Sequence, residues 1–140
     1  MTTQAPSPPH EAEWACASAS TRFFHCLDRR DYSGLVALMT DGGVWVRGGT
    51  RLSGGPAILD ALRDRPAGLT TRHLLSNLVV DLEAEGLARV SYELSVFMRD
   101  GESPARLSVM MTGEDRLEHD GRAWRIQLKQ ARPLFQFDKP

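Results

Sequence analysis

The stretch Leu87-Ala88-Arg89-Val90-Ser91-Tyr92-Glu93-Leu94-Ser95-Val96-Phe97-Met98 decides the fold. Ala88, Val90, Tyr92, Leu94, Val96 and Met98 fall on one face. Arg89, Ser91, Glu93 and Ser95 fall on the other. Such a period of two marks a strand with one buried face. On its N-terminal side, Thr71 to Leu82 contains Leu78-Val79-Val80 and reads as a second long strand, joined through a turn at Glu85-Gly86. On its C-terminal side, Asp100 to Pro104 is a loop. Leu107, Val109 and Met111 then begin a third strand that runs to Leu117. His119-Asp120-Gly121 is a hairpin signal, and Trp124, Ile126 and Leu128 alternate in a last strand.

The first half of the chain has a different period. Trp14, Ala17, Thr21, Phe24 and Leu27 recur at steps of three and four, which predicts a helix from Glu11 to Asp28. Asp31 is a good N-cap for a shorter helix from Tyr32 to Met39, although Gly34 weakens it. Asp41-Gly42-Gly43 reads as a turn. Short strands follow at Gly43–Arg47 and Thr50–Leu52, around Gly48-Gly49. Ser53-Gly54-Gly55-Pro56 opens a third helix, and Pro66 ends it. Helices first and long strands after predict an α+β fold, with the helices gathered on one side of a strongly curved antiparallel sheet.

The 140 residues suit one domain over positions 11–140, behind a polar, proline-bearing leader at positions 1–10 that reads as disordered. A net charge of -1, with basic and acidic residues interleaved, argues against a nucleic-acid surface. No apolar run approaches the ~20 residues of a membrane span, so no membrane partner is expected. Cys16 and Cys26 point to different faces of one helix. They read as free thiols, which suits a reducing cytoplasm. The histidines show no metal spacing, and no phosphate loop or nucleophile elbow is present. No metal or cofactor is expected.

Two polar residues stand out. Asp28 closes the first helix, where the helix dipole disfavours an acid. His73 lies on an otherwise apolar strand, sharing a face with Leu75, Asn77 and Val79. A carboxylate and an imidazole in contact can hold a proton for transfer to or from carbon or oxygen. The plain alternative is a core histidine and a turn-capping aspartate. Phe24, Trp45, Tyr92 and Met111 serve equally as core or as cavity wall.

Four segments carry a resemblance. They are Phe23-Phe24-His25-Cys26-Leu27-Asp28-Arg29-Arg30-Asp31-Tyr32, the run from Leu35 to Trp45, Thr71-Arg72-His73-Leu74-Leu75-Ser76-Asn77, and Asp120-Gly121-Arg122-Ala123-Trp124-Arg125-Ile126. Together they resemble the SnoaL-like family of the nuclear transport factor 2-like superfamily, over positions 11–132. The resemblance implies a cone-shaped sheet closed by helices around a mostly apolar pocket. Relatives include scytalone dehydratase, the bile-acid 7α-dehydratase, ketosteroid isomerase and polyketide cyclases.

It further implies a cofactor-free lyase or isomerase acting on an apolar cyclic metabolite such as a polyketide, steroid or aromatic compound. Asp28 and His73 match the proton-transfer pair of the two dehydratases. Phe24, Trp45, Asn77, Tyr92 and Met111 are the candidate substrate contacts. Phe23 stands where those dehydratases carry a tyrosine, and Tyr92 is the candidate replacement phenol. The alternative implied is a non-catalytic binding or assembly subunit resembling the small subunit of ring-hydroxylating dioxygenases. The expected partner is a second copy of the chain in a homodimer. A trimer, or a hetero-oligomer with a dioxygenase-type large subunit, is the alternative.

Overall fold

A run of small and apolar residues at helical spacing sets the first element. The computed structural model describes residues 8–137. Helix α1 spans Pro9–Asp28, with a proline in its first turn, where the missing N–H costs nothing. Pro9 and His10 are therefore helical, and residues 1–7 of the expected leader lie outside the described residues. The buried stripe is Ala12, Cys16, Ala19, Ser20, Phe23, Phe24 and Leu27. This corrects the expected face: Trp14 is 70% exposed, and only Phe24 and Leu27 belong to both stripes. The spacing admits both faces. The sheet selects the one whose small residues let the helix lie close.

Helix α2 spans Tyr32–Ala37, and the Asp31 carboxylate caps it by accepting the Gly34 N–H at 3.0 Å. Helix α3 spans Gly55–Arg63. The strands are β1 Met39–Arg47, β2 Thr50–Ser53, β3 Leu69–Ala84, β4 Leu87–Asp100, β5 Arg106–His119 and β6 Trp124–Gln136. They form one curved, unclosed sheet in the order β2-β1-β6-β5-β4-β3. β3 to β6 make an antiparallel meander, but β1 lies parallel to β6. The sheet is therefore mixed, not antiparallel throughout. Alternation reveals strands joined by hairpins, but not which strand takes the free edge of β6.

Asp41-Gly42-Gly43 does not turn the chain. It forms an irregularity inside β1, between Met39, which pairs with Ile126, and Val44, which pairs with Leu128. β3 carries a second irregularity between Ser76 and Val79, with Asn77 in the left-handed region at φ 50°. The extra residue shifts the face of the strand. Beyond it the half-buried positions are Leu78 and Val80, while Val79 is 53% exposed. β4 alternates as its sequence dictates. Helix α1 packs across β3, β4 and β6, and α3 packs on β1 and β2. Among the described residues, no helix is long and apolar enough to cross a membrane.

The core contains a polar knot. Lys129 on β6 and Asp115 on β5 are both fully buried, with Lys129 Nζ 3.0 and 2.8 Å from the two Asp115 oxygens. Ser20 of α1 donates to Asp115 at 2.7 Å, and Tyr92 of β4 donates at 2.8 Å. Lys129 also donates to the Tyr92 hydroxyl at 2.9 Å. The ammonium lies 4.4 Å from the Phe23 ring centre and 4.3 Å from that of Phe24. Burial, the Asp115 charge and the hydrogen bond to it all push the Tyr92 phenol up, so it stays protonated. Gly113 faces Tyr92 across the β4–β5 ladder, and a Cβ there would collide with the phenol ring. One network thus ties α1 to three strands.

Removing one charge would leave the other buried without its counter-ion. Lys129→Met should lower the unfolding free energy by about 3–5 kcal/mol in urea titrations. A loss under about 1 kcal/mol would contradict the reading that the Lys129–Asp115 contact is needed to hold this part of the core.

Candidate active site

The C-terminus of α1 and the start of β3 meet at one carboxylate. Asp28 accepts the backbone N–H of His73 at 2.8 Å and the Thr71 hydroxyl at 2.9 Å. Its Oδ1 lies 2.5 Å from His73 Nδ1. These donors outweigh the unfavourable helix dipole. The Asp28 side chain is 4% exposed and that of His73 11%. Burial opposes the charge on Asp28. The ring and backbone hydrogen bonds from His73, its charge and Thr71 outweigh burial and hold the carboxyl below its usual range.

The ionised carboxylate also assigns the imidazole tautomer. Nδ1–H donates to Asp28, which leaves Nε2 as the basic nitrogen. Phe24, one helical turn before Asp28, stacks on the His73 ring at 5.0 Å and 22°. The turn behind the pair is pinned by arginines. Arg65 donates to Thr71 Oγ1 at 3.0 Å, to the Leu27 carbonyl at 3.0 Å and to the Tyr32 hydroxyl at 3.1 Å. Arg30, in the left-handed region at φ 59°, donates to the carbonyls of Pro66 and Leu69 at 2.7 Å each.

His73 lines a cavity of about 230 Å³ between α1 and the inner face of the sheet. The walls are mostly apolar: Phe24, Leu27, Trp45, Leu94, Val96 and Met111 are among them. On the other side, Asp28 and His73 border a wider surface groove between α1 and β3.

Of the predicted site residues, Asp28 and His73 are in contact, and Phe24, Trp45 and Met111 line the same cavity as His73. Two lie elsewhere. Asn77 is exposed, because the β3 irregularity turns it off the inner face. Tyr92 is buried beneath the cavity wall, with its hydroxyl spent on Asp115 and Lys129, so it replaces no phenol in the cavity. Sequence reasoning missed Thr71, Arg65, Arg47 and Lys129. Thr71 alone left a signal, two residues before His73 on the same strand face.

A family model described as a SnoaL-like domain matches residues 9–129. The chain belongs to this SnoaL-like family. Solved structures agree on the fold. Aln2 from a Streptomyces species superposes with a TM-score of 0.76 at 21% identity, covering 93% of this chain and 94% of that one. An NTF2-like protein with a cystatin-like fold from Novosphingobium aromaticivorans gives 0.78 at 17% identity, covering 89% and 83%. A candidate scytalone dehydratase, also from Novosphingobium aromaticivorans, gives 0.74 at 20% identity, covering 90% and 86%. At these identities the likeness is one of fold. No curated protein matches the sequence significantly.

Proposed function

We propose that this SnoaL-like protein is a cofactor-free lyase or isomerase that moves protons on an apolar cyclic metabolite. The observation that carries this reading is the His73 ring on the cavity wall, with Nδ1 held by the buried Asp28 carboxylate. Nε2 removes a proton from a carbon beside a carbonyl group, and the electron pair passes to the carbonyl oxygen as an enolate. Asp28 stabilises the imidazolium that results. The same imidazolium then returns its proton, either to a second carbon or to a departing hydroxyl. One base thus serves isomerisation, or loss of water from a single face of the ring.

Phe23 fits this economy, since no phenol is needed as a second acid; its own ring is buried against Phe24 and Trp45. Cavity size favours a ligand of one or two rings over a four-ring steroid. A cavity of about 150 Å³ holds benzene, and this one measures about 230 Å³.

The partner in this reading is a second copy of the chain. The outer face of the sheet presents Leu74 at 52%, Phe97 at 39% and Phe135 at 55% exposure. The ladder Leu74–Ser95–Met110–Phe135 places the first and last of these in one cross-strand row. An apolar face of this kind favours self-association.

Two results test these readings. With a turned-over bicyclic substrate in hand, His73→Ala and Asp28→Asn should each lower kcat/KM by about 10²–10⁴ while circular dichroism stays native. Undiminished turnover in both variants rules the mechanism out, and a wild type that binds rings without turning any over makes the protein a ligand carrier. In sedimentation velocity at micromolar concentration the chain should run as a dimer. A monomer contradicts the paired sheet face, and a threefold assembly favours a dioxygenase-like assembly subunit.

A further inference from the structure

The cavity wall carries basic residues and no acid. Arg47, Arg65, Lys129 and His73 are its basic members, and none of its lining residues is Asp or Glu. Lys129 is neutralised by Asp115 behind the wall. Asp28 is shielded by its hydrogen bonds from His73 and Thr71. The two arginines have no such compensation. No ion pair among the described residues involves either of them.

The arginines differ in how their donors are used. Arg65 is spent on Thr71, Leu27 and Tyr32 and acts as a strut. Arg47 ends β1, is exposed, and has the Trp45 ring as its neighbour at 5.5 Å. Trp45 pairs with Lys129 deep in the sheet. Arg47 lies two residues further along the same strand face, about 7 Å away. It therefore stands towards the outer end of the cavity, beside the Gly48-Gly49 turn that leads to β2. Burial of part of its stem and the nearby Arg65 charge push the Arg47 guanidinium down from its usual value, against an opposing pull from Tyr32.

We propose that Arg47 recognises a carboxylate at the outer end of the ligand, whose apolar ring body fills the cavity and whose reacting carbon lies against His73. The inference rests on the reading of this cavity as the ligand site. A guanidinium fork with uncommitted N–H groups matches a planar carboxylate at two points, and the flanking apolar walls strengthen the attraction. Substrates of this class are one- or two-ring acids, and their neutral amides or esters are poor ligands.

Calorimetric titration with 2-naphthoate and 2-naphthamide tests this, using the wild type, Arg47→Met and Arg47→Lys. Wild type should bind the carboxylate about tenfold more tightly than the amide. Arg47→Met should bind both alike, and Arg47→Lys should keep part of the preference. Equal binding in the wild type, or an undiminished preference in Arg47→Met, overturns the assignment of Arg47 and leaves the cavity reading standing. Binding of neither probe overturns both.

Discussion

Asp28 occupies a place where a negative charge is poorly tolerated, at a helix C-terminus among carbonyl oxygens with its side chain largely buried. It is held there by β3, which offers it the His73 backbone N–H, the His73 ring and the Thr71 hydroxyl. Much of the site geometry follows from that contact. It clamps the end of α1 to the start of β3 and fixes which ring nitrogen carries the proton. It also brings Phe24, one turn earlier on the helix, flat against the imidazole. A lone aspartate in this setting would protonate or pull away. A lone histidine would lack a defined tautomer.

A second charged cluster supports the first from beneath. Lys129, Asp115, Tyr92 and Ser20 satisfy one another inside the core, and the Lys129 ammonium rests against the rings of Phe23 and Phe24. Phe24 therefore touches both clusters, one through its contact with a cation and the other through its stack on His73. The buried pair itself adds little stability over a well-packed apolar substitute, since desolvation offsets attraction. Its evident effect is positional: it ties the helix that bears Asp28 to the strands that form the cavity wall.

Much of this was legible in the sequence where a repeat exposes a period. The alternation of β4 predicted its buried face from Ala88 to Val96, with Met98 half-buried at its end, and Asp31 announced its cap. The pairing of Asp28 with His73 came from motif likeness, because nothing in residue spacing brings a helix end to a strand 45 positions away. The failures have physical causes. Trp14 and Cys16 lie on competing helix faces, and only the sheet chooses between them. A single inserted residue in β3 moved Asn77 off the inner face. Tyr92 alternates with wall residues, yet an acid and a lysine on neighbouring strands claim its hydroxyl. Lys129 and Arg47 carry no signal in the sequence, since burial and a missing counter-ion are properties of the folded sheet.

The central claim is that Asp28 fixes the His73 ring with Nδ1 protonated and Nε2 free to act as the base. ¹⁵N NMR of the His73 ring, at a pH where the ring is neutral, tests it most directly in wild type and in Asp28→Leu. The account predicts the Nδ1–H tautomer in the wild type, with a strongly downfield ring proton, and loss of both in the variant. A wild-type ring protonated at Nε2, or a tautomer indifferent to the removal of Asp28, would contradict it.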